Sequence, residues 1–157
     1  MSLFIERFIN GVADGSIYAL LALALVVVFR STGQLNFAQG EIGTMGAFFV
    51  STLTLGGLPV WAAIGCAMVL GFVVSAGVER IVVRPIEHRN PSAVIVALIG
   101  VFLAVNQLVA MIWGVDARSL PSVFPDDADD FVTIFGAPVR IARLGLIGVL
   151  IVVLFLL

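Results

Sequence analysis

Residues 93–113, AVIVALIGVFLAVNQLVAMIW, run 21 positions without a charged side chain. Residues 60–78, VWAAIGCAMVLGFVVSAGV, do the same over 19 positions. A span of about 30 Å of hydrocarbon needs roughly 20 apolar residues in a helix, because only a helix satisfies its own backbone there. Both stretches meet that requirement. Working outward, further apolar segments cover about 12–29 and 42–58, and a fifth runs from Leu144 to Leu157. The expected fold class is therefore an all-α integral membrane protein, a polytopic transmembrane helix bundle. About four spans are complete. The fifth, 14 residues or about 21 Å long, is expected to be truncated.

Composition agrees. Apolar residues make up 61% of the 157 residues and charged residues 11%, with a mean hydropathy of +1.20. A soluble domain of this size has too much surface to hide that much apolar area. The eight bases are all Arg and the net charge is -2, so no basic patch exists for nucleic acid. Cys66 is the one cysteine and His88 the one histidine, which leaves no expected metal site. The segment 19–29 has the apolar core of a signal peptide. Glu6 and Asp14 interrupt its leader and no small-x-small cleavage site comes after it, so it reads as a retained span.

Arg80, Arg84 and Arg89 lie between the third and fourth segments, and Asp116, Asp126, Asp127, Asp129 and Asp130 follow the fourth. The positive-inside rule makes 79–91 a cytoplasmic loop and 114–143 an extracytoplasmic one, with the N-terminus outside. Trp61 and Trp113 then both fall at the outer interface, as an aromatic belt requires. Within the outer loop, Phe131–Phe135 and Pro138–Ile141 are β-prone runs about Gly136-Ala137, and predict a short extracytoplasmic β-hairpin.

Candidate functional residues sit at two places. Asn10, Asp14 and Tyr18 share one helix face near the outer end of the first span, beside a Gly11/Gly15 GxxxG pair. An acid inside a span is a transport-path or packing residue by default; interfacial exposure is the competing reading. The second place is GQLNFAQGE, residues 33–41, with glycines recurring at 40, 43 and 46. A broken helix with polar side chains builds a path at membrane depth. An ordinary polar turn, with Glu41 favourable near a helix start, fits equally well. The path or gating candidates are thus Asp14, Asn36, Gln39 and Glu41. The helix-packing candidates are Gly11, Gly15, Gly40, Gly43, Gly46 and Gly71, the last in an Ala63, Ala67, Gly71, Ser75 stripe. No nucleotide-binding loop, metalloprotease motif or nucleophile elbow is present, so no catalytic residue is expected.

Three stretches together resemble the permease subunits of branched-chain amino acid ABC transporters, the high-affinity leucine/isoleucine/valine type. They are Asn10 to Leu20 (NGVADGSIYAL), Asn36 to Glu41 (NFAQGE) and Glu79 to Pro85 (ERIVVRP), with Leu120-Pro121-Ser122 in the outer loop. The resemblance covers nearly the whole chain, read as the N-terminal part of one permease transmembrane domain, 1–157. It implies a multi-pass subunit of the bacterial inner membrane. Its implied partners are a second homologous permease, two ATP-binding subunits and an extracytoplasmic substrate-binding protein. ATP would be bound by those subunits and no cofactor by this chain. The family's ATPase-contacting helices come after the fifth span, beyond this sequence, so the chain is expected to be a fragment that does not transport alone. Relatives that carry urea or short amides share these motifs. A non-transporting membrane scaffold and half of an ion-driven carrier are the readings from other classes.

Overall fold

The computed structural model describes residues 2–87, 91–114, 123, 131–134 and 137–156. Its elements in chain order are α1 (Ser2–Thr32), α2 (Gln39–Leu55), α3 (Val60–Val78), a π-helical turn (Glu79–Val83), α4 (Arg84–Glu87), α5 (Pro91–Trp113), β1 (Phe131–Ile134), β2 (Ala137–Arg140) and α6 (Ile141–Leu156). His88, Arg89, Leu120-Pro121-Ser122 and the acidic run 126–130 lie outside the described residues, apart from their positions in the sequence.

Among the described residues, three helices are long and apolar enough to cross a membrane: Leu3–Thr32, Val60–Glu87 and Ser92–Trp113. The chain is a multi-pass membrane protein. The number of such helices is one fewer than the four complete spans expected. The second segment forms a 17-residue helix, about 25 Å long, that opens on Gln39 and Glu41 and carries Thr44. The first segment is longer than expected. Residues 2–11 hold no proline and extend α1 to 31 residues, so Asp14 lies about 18 Å from the start of the helix rather than near its end. The fifth apolar segment starts at Ile141, directly after β2, and is helical for 16 residues.

The stretch expected to be a loop, 79–91, is helical through Glu87. Pro85 explains the form it takes. Its nitrogen cannot donate to the Ile81 carbonyl, and its ring crowds that carbonyl. The chain relieves this by widening to an i→i+5 ladder, in which the Arg84 N–H reaches the Glu79 carbonyl. The turn then packs back on α5: Val83, Val94 and Leu98 are buried together, with Val78 and Ile86 against them.

The chain divides into two compact units, Met1–Val26 with Ser122–Leu157, and Val27–Pro121. In the second, α2 packs on α3 and on α5. Ala63 of the small-residue stripe is fully buried, and a Cβ on Gly71 would meet Ile42 at 3.9 Å, ordinary contact. The α2–α3 turn closes by a Schellman arrangement. Leu58 N–H donates to Leu53 O (3.1 Å) and Gly57 N–H to Thr54 O (3.0 Å), with Gly57 at φ +93°. The Trp113 indole N–H donates to Thr52 Oγ1 at 2.7 Å and its ring lies against Phe48, so α5 ends beside the C-terminal end of α2. In the first unit, β1 and β2 pair antiparallel, Phe131 opposite Arg140 and Ile134 opposite Ala137. Val139 is buried there, and Ala13 and Ser16 form the covered face of α1.

Candidate functional site

The second unit holds a cavity of about 390 Å³ at the end opposite Trp113. Small-molecule pockets fall in the same range, about 300–1,000 Å³. Its polar wall comes from the end of α1 and the connection into α2: Ser31, Thr32, Gln34, Asn36 and Gln39. Its floor is the last turn of α3 and the π-helical turn, with Ser75, Glu79 and Val83, and Phe72 and Leu98 supply apolar surface.

The connection is built by short-range chemistry. Gly33 ends α1 at φ +70°, where a Cβ is unfavourable, and its N–H donates to Phe29 O at 2.7 Å. The Asn36 side-chain oxygen accepts the Ala38 N–H at 3.1 Å, and the Gln39 N–H donates to the Asn36 carbonyl at 3.2 Å. Ala38 and Ile42 are buried and anchor the start of α2. The 33–38 stretch is thus a tight turn between two helices. The Asn36 oxygen holds that turn. The Ser31 and Thr32 hydroxyls both donate to Val28 O (2.9 and 2.8 Å), so their protons are committed. The Gln34 and Gln39 Oε1 atoms are buried without a hydrogen-bond partner. An unsatisfied buried acceptor costs about 1–3 kcal/mol, so a partner for these two oxygens is strongly favoured.

Of the sequence-predicted site residues, Asn36 and Gln39 meet at this cavity. Glu41, half-buried in the first turn of α2, is not part of its lining. Asp14 belongs to the other unit, where its Oδ1 accepts from Arg143 Nη1 at 2.5 Å; the Arg143 and Asp14 side chains are 35% and 61% exposed. Tyr18, expected on the same face, is 74% exposed. The packing glycines behave differently from Gly71: a Cβ on Gly11, Gly15, Gly40, Gly43 or Gly46 would meet nothing within 4 Å. Among the described residues a side chain could begin at each of those positions without a clash.

Sequence reasoning passed over Gln34, Ser75, Glu79 and Arg143 as site residues. Gln34 and Glu79 stood inside quoted motifs. Their signal was a polar side chain one helix turn or less from an apolar span. The signal for Arg143 was a lone base opening an apolar run, in a chain with a lone acid in another. Among the described residues no group of three or more His, Cys, Asp or Glu gathers, and Cys66 is exposed with its thiol free.

A family model described as branched-chain amino acid transport system / permease component matches residues 7–157. The chain is 27% identical over 130 residues to the high-affinity branched-chain amino acid transport system permease protein LivH of Escherichia coli (strain K12). That alignment covers 77% of this chain and 42% of LivH. It is 25% identical over 130 residues to LivH of Salmonella typhimurium, with the same shares covered. It is 24% identical over 131 residues to the permease protein BraD of Pseudomonas aeruginosa, covering 78% of this chain and 43% of BraD. The chain therefore spans about two-fifths of the length of the curated relatives it matches. No solved structure gives a significant match.

Proposed function

Because the chain belongs to the family of permease components of branched-chain amino acid transport systems, we propose that it forms part of the path by which an ABC importer moves branched-chain amino acids across the bacterial cell membrane. The observation that carries this reading is the family match over 7–157, which includes all three motif stretches. The chain supplies helices and a polar cavity, and no chemistry of its own. ATP is hydrolysed by two partner ATP-binding subunits. A second homologous permease completes the path, and an extracytoplasmic binding protein delivers the substrate. Residues 79–91, rich in Arg, face the cytoplasm, and 114–143, with the paired strands, face outside. The cavity then lies toward the cytoplasmic side. Asn36 and Gln39 line the path, Asp14 and Glu41 are gating residues, and Gly11, Gly15, Gly40, Gly43 and Gly46 accept a helix of a neighbouring chain.

The test is uptake by the complete transporter containing this chain, in proteoliposomes with ATP and the binding protein. ATP-dependent accumulation of labelled leucine is expected, with urea and acetamide excluded. Accumulation of urea in place of leucine would reassign the substrate. No ATP-dependent uptake of any of the three would refute the transport reading in favour of a scaffold.

A further inference from the structure

Helix α3 and the turns that continue it make one apolar rod, Val60–Glu87, of 28 residues. At 1.5 Å per residue it is about 42 Å long, more than the roughly 30 Å of hydrocarbon it crosses. A tilt of about 20° shortens its rise by roughly 6% and does not absorb the excess. Trp61 is exposed one residue into the rod and marks one membrane–water interface, where aromatic belts sit. Counted from Trp61, Arg80 lies about 28 Å away and Arg84 about 34 Å. The headgroup layer fills roughly 5–8 Å beyond each hydrocarbon edge. Arg80 therefore stands at the far edge of the hydrocarbon, and Arg84 at the depth of the lipid phosphates.

The two arginines also share a face. Val69, Val73, Ala76, Arg80 and Arg84 follow one another at steps of three and four residues, and all five are exposed. Met68 and Ile81 flank this stripe and are exposed as well. Among the described residues neither guanidinium makes a hydrogen bond or an ion pair. The acids of the same segment are turned to other uses: Glu79 lines the cavity, and Glu87 has a partner of its own. A guanidinium presents its N–H groups as a planar fork that fits a phosphate through two parallel hydrogen bonds. An apolar stripe at acyl-chain depth, ending in two unpaired cations at phosphate depth, is complementary to a phospholipid along its whole length.

We propose that Arg80 and Arg84 form a binding site for an anionic phospholipid, clamping its phosphate while an acyl chain lies along Val69, Val73 and Ala76. A headgroup with net negative charge is preferred over a zwitterionic one, because the two guanidinium charges meet no counter-charge on the choline side. The site rests on the membrane span of Val60–Glu87 and is independent of the transport reading.

The test is native mass spectrometry of the complete transporter containing this chain, released from micelles of mixed phosphatidylglycerol and phosphatidylcholine. At least one phosphatidylglycerol per copy of this chain should be retained in preference to phosphatidylcholine. Titration should show that R80Q/R84Q weakens its binding at least tenfold and R84Q alone about fivefold. R7Q, which removes an exposed arginine of α1, should retain it fully. Should the double variant fail to assemble, R84Q decides on the same readout. Equal retention of phosphatidylcholine, binding unmoved by these substitutions, or an equal loss in R7Q would overturn the proposal. Displacement by inorganic phosphate would show a soluble-anion site and overturn it too. Leucine uptake without retained phosphatidylglycerol refutes this inference alone. Phosphatidylglycerol held through Arg80 and Arg84 without any uptake refutes the transport reading alone.

Discussion

Asp14 and Arg143 can be separated from the transport path by a double-mutant cycle. Both sit on apolar helices, α1 and α6, and their side chains meet at 2.5 Å. With charge centres about 4 Å apart, the attraction is about 4 kcal/mol at an effective dielectric of 20. Taking each ion out of water costs several kcal/mol, and the pair's partial exposure returns some of that. In water the net would be about 0.2–1 kcal/mol. Facing lipid, an unpaired Arg costs about 2.5–3.5 kcal/mol at mid-helix, so breaking the pair hurts more than deleting it. D14N and R143Q should therefore each destabilise the subunit by about 2 kcal/mol. D14N/R143Q should cost less than their sum, with a coupling of about 1–2 kcal/mol. The measurement is unfolding of the full subunit in mixed micelles, run beside leucine uptake by the assembled transporter. A purely structural pair predicts that uptake returns in the double variant. Additive losses in stability would refute the pairing argument. Recovered stability without recovered uptake would return Asp14 to the path.

Three further outcomes are expected. Gly33→Ala should lower the stability of the subunit by about 1–2 kcal/mol, because Gly33 holds φ +70°; Gly33→Asn should cost less, and equal melting temperatures for the two would contradict this. Trp113→Phe should cost about 0.5–1.5 kcal/mol by removing the 2.7 Å bond to Thr52, and should be non-additive with Thr52→Val in thermal unfolding. Gly40→Leu should leave the subunit's own melting unchanged, since a side chain there meets open space, while the yield of assembled transporter falls; normal yield with weakened substrate affinity would count against a packing role.

The spans were legible because hydrocarbon imposes one rule on every residue of a segment, and α3 and α5 start and stop within two residues of where apolar runs predict. Of the small-residue stripe on α3, Ala63 is buried and a Cβ on Gly71 would meet Ile42 at 3.9 Å, an ordinary contact. The charged stretch 79–87 was not legible. Polar composition suggested a loop, but Val83 and Ile86 packing against Val94 and Leu98 hold it helical. The beginning of α1 was missed in the same way, since the helix runs unbroken through the charged Glu6 and Arg7. At the site, Asn36 and Gln39 were legible as residue types but not in their separate roles. Whether an amide oxygen is spent on a turn, as in Asn36, or left open, as in Gln39, depends on backbone geometry that spacing does not carry.

Pro85 ties the helical and chemical parts together. A regular helix through residues 79–87 would require an N–H at position 85, and proline has none. The extra residue taken up by the i→i+5 turn rotates the segment before it around the axis by about 100° relative to the segment after it. On one side of that shift Glu79 meets the cavity; on the other, Ile86 meets the cluster against α5. In the ERIVVRP stretch the proline thus sets the form of the turn, and Val83 anchors that turn against α5. The arginines of the same stretch, Arg80 and Arg84, are left on exposed positions.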